Sequence, residues 1–178
     1  MVNPHEFLIA TLAARGYPTR TVVALESRYA TKPTAKQVED YSIDLVNAVR
    51  AGDLDTLREM HAAGCSMNAC NKFAESVVHM AARIGAREVM EFMIECTGVE
   101  SLAISDDYGR TPLHDACWTS EPFFDMVTFI LDHEVEMLLV KDKRGFTPLL
   151  YVKKELWGAW HTFIDAIKDK YWPMGHSS

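Results

Sequence analysis

One short pattern returns along this chain at a nearly constant interval. It reads Asn71-Lys-Phe-Ala-Glu-Ser-Val-Val-His-Met-Ala-Ala82, then Asp106-Asp-Tyr-Gly-Arg-Thr-Pro-Leu-His-Asp-Ala-Cys117, then Asp142-Lys-Arg-Gly-Phe-Thr-Pro-Leu-Leu-Tyr-Val152. The hydroxyl residues Ser76, Thr111 and Thr147 mark the register, at intervals of 35 and 36 residues. An earlier unit, Leu45-Val-Asn-Ala-Val-Arg-Ala-Gly52, ends 33 residues before Gly85. A period of this length means stacked units, each burying its apolar face against the next.

The residue types at each place have physical reasons. Gly109 and Gly145 fall where a tight turn needs a positive φ. Thr111 and Thr147 are placed to cap a helix, with Pro112 and Pro148 at its first position, where a missing N–H costs nothing. Leu113 with Ala116, and Leu149 with Val152, share a buried face. Leu54/Leu57, Val89/Phe92/Met93 and Met126/Val127/Ile130/Leu131 carry helical spacing for the second helix of each unit.

The pattern resembles the ankyrin repeat: a turn, then T-P-L-H-x-A, then two helices, over about 33 residues. Thr111-Pro-Leu-His-Asp-Ala116 is the strongest match, and Gly64-Cys-Ser-Met-Asn-Ala69 is similar to the segment between repeats. The resemblance runs over residues 41–172 and implies an all-α ankyrin-repeat solenoid with helical N- and C-terminal caps. About four repeats are expected, at 41–70, 71–105, 106–141 and 142–172, before a short tail at 173–178. Ala74 and Val77 stand where the family has Gly and Pro, Trp118-Thr-Ser-Glu-Pro122 lengthens the third unit, and Leu150 replaces the fourth histidine. Residues 1–40 lie outside clear repeats. Pro4 to Arg15 and Thr19 to Tyr29 read as helices, and Thr34 with Gln37 as a capping box, together an N-terminal cap on the open end or a degenerate repeat.

Composition narrows the function classes. Of 178 residues 48% are hydrophobic, and the formal charge is −7, which argues against a general nucleic-acid binder. No apolar run approaches a membrane span, and Phe7 to Ala14 lacks a basic leader. The cysteines Cys65, Cys70, Cys96 and Cys117 are too sparse for a disulfide scaffold, so reduced thiols in a cytoplasmic or nuclear protein are expected, with Cys70 exposed. His61, Cys65, Cys70 and His79 fit no common zinc spacing, and no cofactor motif is present.

The resemblance implies a non-enzymatic module or adaptor, monomeric, that binds a protein partner on its concave face. Carried over position by position, that face comprises the turn tips Lys72, Phe73, Glu75, Asp107, Tyr108, Arg110, Lys143, Arg144 and Phe146. It also takes in Arg50, Arg83, Ile84, Trp118, Thr119, Lys154 and Glu155 from the helices. Seven of these are cationic and three anionic, a net of +4, leaving −11 for the rest of the chain. A basic, aromatic face on an acidic body suits an acidic partner segment. The rival reading is an enzyme or small-molecule sensor with a pocket near His114, Asp115, Cys117 and Trp118. In the family His114 and His79 tie neighbouring repeats structurally. Trp157 and Trp160 read as core, and the apolar cap helices offer a route to self-association.

Overall fold

The computed structural model describes residues 1–175. The end of the expected tail lies outside the described residues. Three helical hairpins form the body: α3 (Ile43–Ala51) with α4 (Leu54–Ala62), α5 (Val77–Ile84) with α6 (Arg87–Thr97), and α7 (Pro112–Cys117) with α8 (Phe124–Glu134). Preceding them are α1 (Pro4–Ala14), the two-residue strand β1 (Val22–Val23) and α2 (Ala35–Glu39). After them come β2 (Val140–Lys141) and α9 (Trp157–Tyr171).

The first helix of each hairpin begins on its hydroxyl residue. Ser42 accepts from Leu45 N, Ser76 from His79 N and Thr111 from His114 N, satisfying donors that a helix start leaves orphaned. Gly52 and Gly85, both left-handed, end α3 and α5. The helices α3, α5 and α7 then stack side by side, with α4, α6 and α8 as an outer row. Val77, Val78, Ala81, Leu113, Ala116 and Leu149 fill the inner seam. The small side chains Ala81 and Ala116 set a close approach, and Leu57, Met90, Met93, Met126 and Ile130 fill the space beneath the outer row.

Residues 142–152 start like the other units and then depart from them. The chain makes one 3-10 turn over Pro148–Tyr151, and Leu150 N bonds the backbone carbonyl of Thr147. Thr147 Oγ1 therefore makes no cap, contrary to the sequence reading. It pairs instead with His5 Nδ1 of α1 at 2.9 Å. His5 thus supplies from outside the imidazole that this unit lost to Leu150.

The N-terminal segment is the largest departure from expectation. Residues 19–29 form no α-helix. Val22 and Val23 pair in parallel with Val140 and Lys141, and Ala24–Glu26 makes a 3-10 turn. The β-branched run Thr21-Val22-Val23 suits a strand, and an available edge at residue 140 decides it. Nor does α1 cover the first repeat. It packs on α9, where Arg15 reaches Asp169 at 2.8 Å and the Trp172 carbonyl at 3.0 Å, and Phe7 stacks on His161 at 4.3 Å. From there the chain runs back along the array. Ser105 Oγ donates to the Tyr29 carbonyl (2.9 Å), and the Gln37 carbonyl accepts from Cys70 N (3.1 Å). The Thr34–Gln37 capping box is present, and it starts the short helix α2, which bonds the loop at Gly64 and Asn68. One arm thus packs on the last unit and bonds the loop after the first. At the C-terminal end Trp160 is buried and Trp157 half-buried.

Candidate functional site: the edge of turn tips

Each turn is built by one side chain. Asp106 Oδ1 accepts from Tyr108 N and Arg110 N, both at 2.9 Å, and Asp142 Oδ1 accepts from Arg144 N and Phe146 N at the same distance. Asn71 does the same for Phe73 and Glu75. Gly109 takes φ +81°, and a Cβ there would sit 3.2 Å from the Asp142 backbone, so the neighbouring turn also requires glycine. Ala74 holds the corresponding place at φ +62°, with a conformational cost of about 1 kcal/mol.

The turns are tied to one another. Asp107 N donates to the Phe73 carbonyl (3.0 Å), and Lys143 N to the Tyr108 carbonyl (2.8 Å). The histidines lock the same seams. His79 Nε2 meets the Arg110 carbonyl and His114 Nε2 the Phe146 carbonyl, each at 2.8 Å. A carbonyl only accepts, so the proton sits on Nε2, and Nδ1 accepts from the hydroxyl of Ser76 or Thr111 (2.8 and 2.9 Å). Burial depresses His114 to about 4, against smaller upward pulls from the Phe146 carbonyl and nearby carboxylates, which keeps the ring neutral.

This geometry bears on the pocket suggested near His114, Asp115, Cys117 and Trp118. Both His114 nitrogens are engaged structurally. Burial pushes the Cys117 thiol up, the wrong direction for a nucleophile. Asp115 is buried and accepts from Arg83 at 3.2 Å, with burial raising its carboxyl. Of the four, Trp118 alone is exposed.

The carried-over face is a row of exposed rings. Phe73, Tyr108, Trp118 and Phe146 are 45%, 52%, 47% and 37% exposed. Each turn tip pairs its ring with a cation: Lys72 over Phe73 (5.2 Å), Arg110 over Tyr108 (4.9 Å) and Arg144 over Phe146 (4.7 Å). Arg50 and Lys143 are exposed and form no ion pair among the described residues. Lys154 is exposed too but lies toward Trp157, at 6.0 Å.

Three features correct the sequence reading. Thr119 turns inward, with its hydroxyl bonded to the Glu121 carbonyl (2.6 Å). Cys70 is buried where the arm covers it. The charge contrast is also smaller than the count implies, because Asp106, Asp115 and Asp142 lie buried just beneath the face. Arg110 bonds Asp106 (3.1 Å) as Arg83 bonds Asp115. Three added carboxylates bring the anions to six against seven cations, a net of +1. Sequence reasoning also missed Tyr151. Its ring lies 5.7 Å from Trp118, 5.8 Å from Phe146 and 5.6 Å from His114, and its hydroxyl donates to Asp142. Its signal was its place four residues after Thr147, the place Asp115 holds after Thr111.

Comparisons with known proteins agree with the geometry. A family model of ankyrin repeats in three copies matches residues 45–141, just over half of the chain. The putative glutaminase 2 of Caenorhabditis elegans is 32% identical over 77 residues, 43% of this chain and 13% of that protein. The chain therefore spans about an eighth of that relative's length. Ankyrin repeats are in general protein–protein interaction modules and a non-catalytic fold. Capped inner helices, turns built on one carboxylate or amide, imidazole ties between neighbours and the matched span together place the chain in the ankyrin-repeat family.

Proposed function

We propose that this chain is a protein-binding adaptor that receives an acidic, aromatic-bearing segment along its row of turn tips. The observation that carries this is the threefold repetition of an exposed ring beside a cation, extended by Trp118. Rings with Arg partners are the residue types that dominate binding energy, and cations direct acidic groups to them. Because buried carboxylates offset Arg83 and Arg110, the rings supply most of the affinity and Lys72, Lys143, Arg144 and Arg50 the preference for acid. The four cysteines are unpaired, which supports a reducing compartment, cytoplasmic or nuclear, with the chain acting as a monomer.

A panel of labelled acidic, neutral and basic peptides of matched aromatic content tests this by fluorescence anisotropy. The acidic peptides bind tightest and weaken as salt rises. Tyr108→Ala with Trp118→Ala lowers that affinity at least tenfold with the circular dichroism unchanged. Equal affinity for basic peptides, or for the double variant, overturns the reading. Arg83→Ala is a poor probe, since it strands the buried Asp115 carboxylate.

A further inference from the structure

The arm and the end of the array do not close completely on one another. Between them lies a cavity of about 410 Å³, within the span of small-ligand sites. It is lined by Leu8 and Leu12 of α1, Val22 of β1, Leu139 and Val140 at the end of the array, and Trp172. All of these are apolar, and they come from parts of the chain more than a hundred residues apart.

The polar groups on the wall are Tyr17, Arg20, Arg28, Tyr29 and Glu136. Most are already engaged. Arg28 and the Tyr29 hydroxyl both bond Glu134. Glu136 lies in the field of the same guanidinium. Tyr29 is held protonated, chiefly by burial. The Tyr17 hydroxyl donates to the Pro173 carbonyl at 2.7 Å. Arg20 differs: it is exposed at the cavity and bonds no carboxylate among the described residues.

We infer that this cavity binds an aliphatic monocarboxylate, its chain among the leucines and valines and its carboxylate on Arg20. Leucines and valines outnumber the rings of Tyr17, Tyr29 and Trp172 on the wall, which suits a hydrocarbon chain, and a guanidinium held by no carboxylate suits a single anionic head. Because both arm and array contribute walls, the ligand stabilises the arm in place. This site is separate from the row of turn tips and does not rest on the reading given for it.

The test uses the full chain with decanoate, decanol and decyltrimethylammonium below their micellar concentrations, read by titration calorimetry and by the fluorescence of Trp172 against a Trp172→Phe control. Decanoate binds with one-to-one stoichiometry at least tenfold tighter than decanol, and the cation binds weakest. Arg20→Gln removes the advantage of decanoate and leaves decanol unchanged. Leu139→Trp fills the cavity and abolishes both. Absence of saturable decanoate binding to the wild-type chain overturns the inference. So does decanoate binding no tighter than decanol, or binding that survives Leu139→Trp in a folded variant.

Discussion

A few residues carry their structural role in their own chemistry. Ala74 is the one non-glycine with positive φ among the described residues, where its relatives in the register are Gly109 and Gly145. Ala74→Gly is expected to stabilise the protein by about 1 kcal/mol, seen as a higher urea midpoint at unchanged slope. His114 gives a prediction in pH. Its folded pKa is depressed to about 4 from an ordinary 6.5, so the unfolded chain takes up the proton first. Its contribution is complete above pH 6.5 and is lost as the pH falls from there towards 4. Stability is expected to drop by about 1 kcal/mol between pH 7 and 5.5, measured by urea denaturation. His5, also lowered by burial, adds a smaller fall of the same sign, which persists in His114→Gln.

At the scale of elements, what can be read from sequence depends on how far apart the interacting parts lie. The cap of α7 was legible because Thr111 and His114 complete their bonds within three residues; Ser76 repeats it at α5, though only its place in the register was read. The turns were legible for the same reason. The arm was not. Many of its bonds join residues far apart, such as His5 to Thr147 at 142 positions and Arg15 to Trp172 at 157, and no periodicity announces such a partner. The strand at Val22 depends on an edge supplied at Val140, which nothing near Thr19 to Tyr29 announces. The carboxylates beneath the turn tips were legible as residues but not as neighbours of Arg83 and Arg110, because one links adjacent repeats and the other folds back under its own turn. The clamp of α1 on α9 makes its own prediction. Leu8 is fully buried, and Leu8→Ala is expected to cost 2–5 kcal/mol. Hydrogen exchange should then quicken in α1 and α9 and leave α3 protected.

For the molecule as a whole, an array of repeats leaves two apolar ends that need covering. Here α1 packs on the last unit, while α2 bonds the loop that follows the first repeat. Removing residues 1–33 is expected to bare the surface around Trp160 and Ile164, so that sedimentation of the truncated chain becomes concentration-dependent while the intact chain stays monomeric. The row of turn tips takes no part in the arm's hydrogen bonds, so binding there and docking of the arm are independent in geometry. The clasp of α1 against α9 has a further consequence, in time rather than in energy. During synthesis each repeat stacks on its predecessor soon after it emerges, but the first helix must wait for a surface that does not yet exist. At ordinary elongation rates that wait is roughly 10–30 s. Through that interval α1 stays undocked, and residues made early in this chain are among the last of it to find their place.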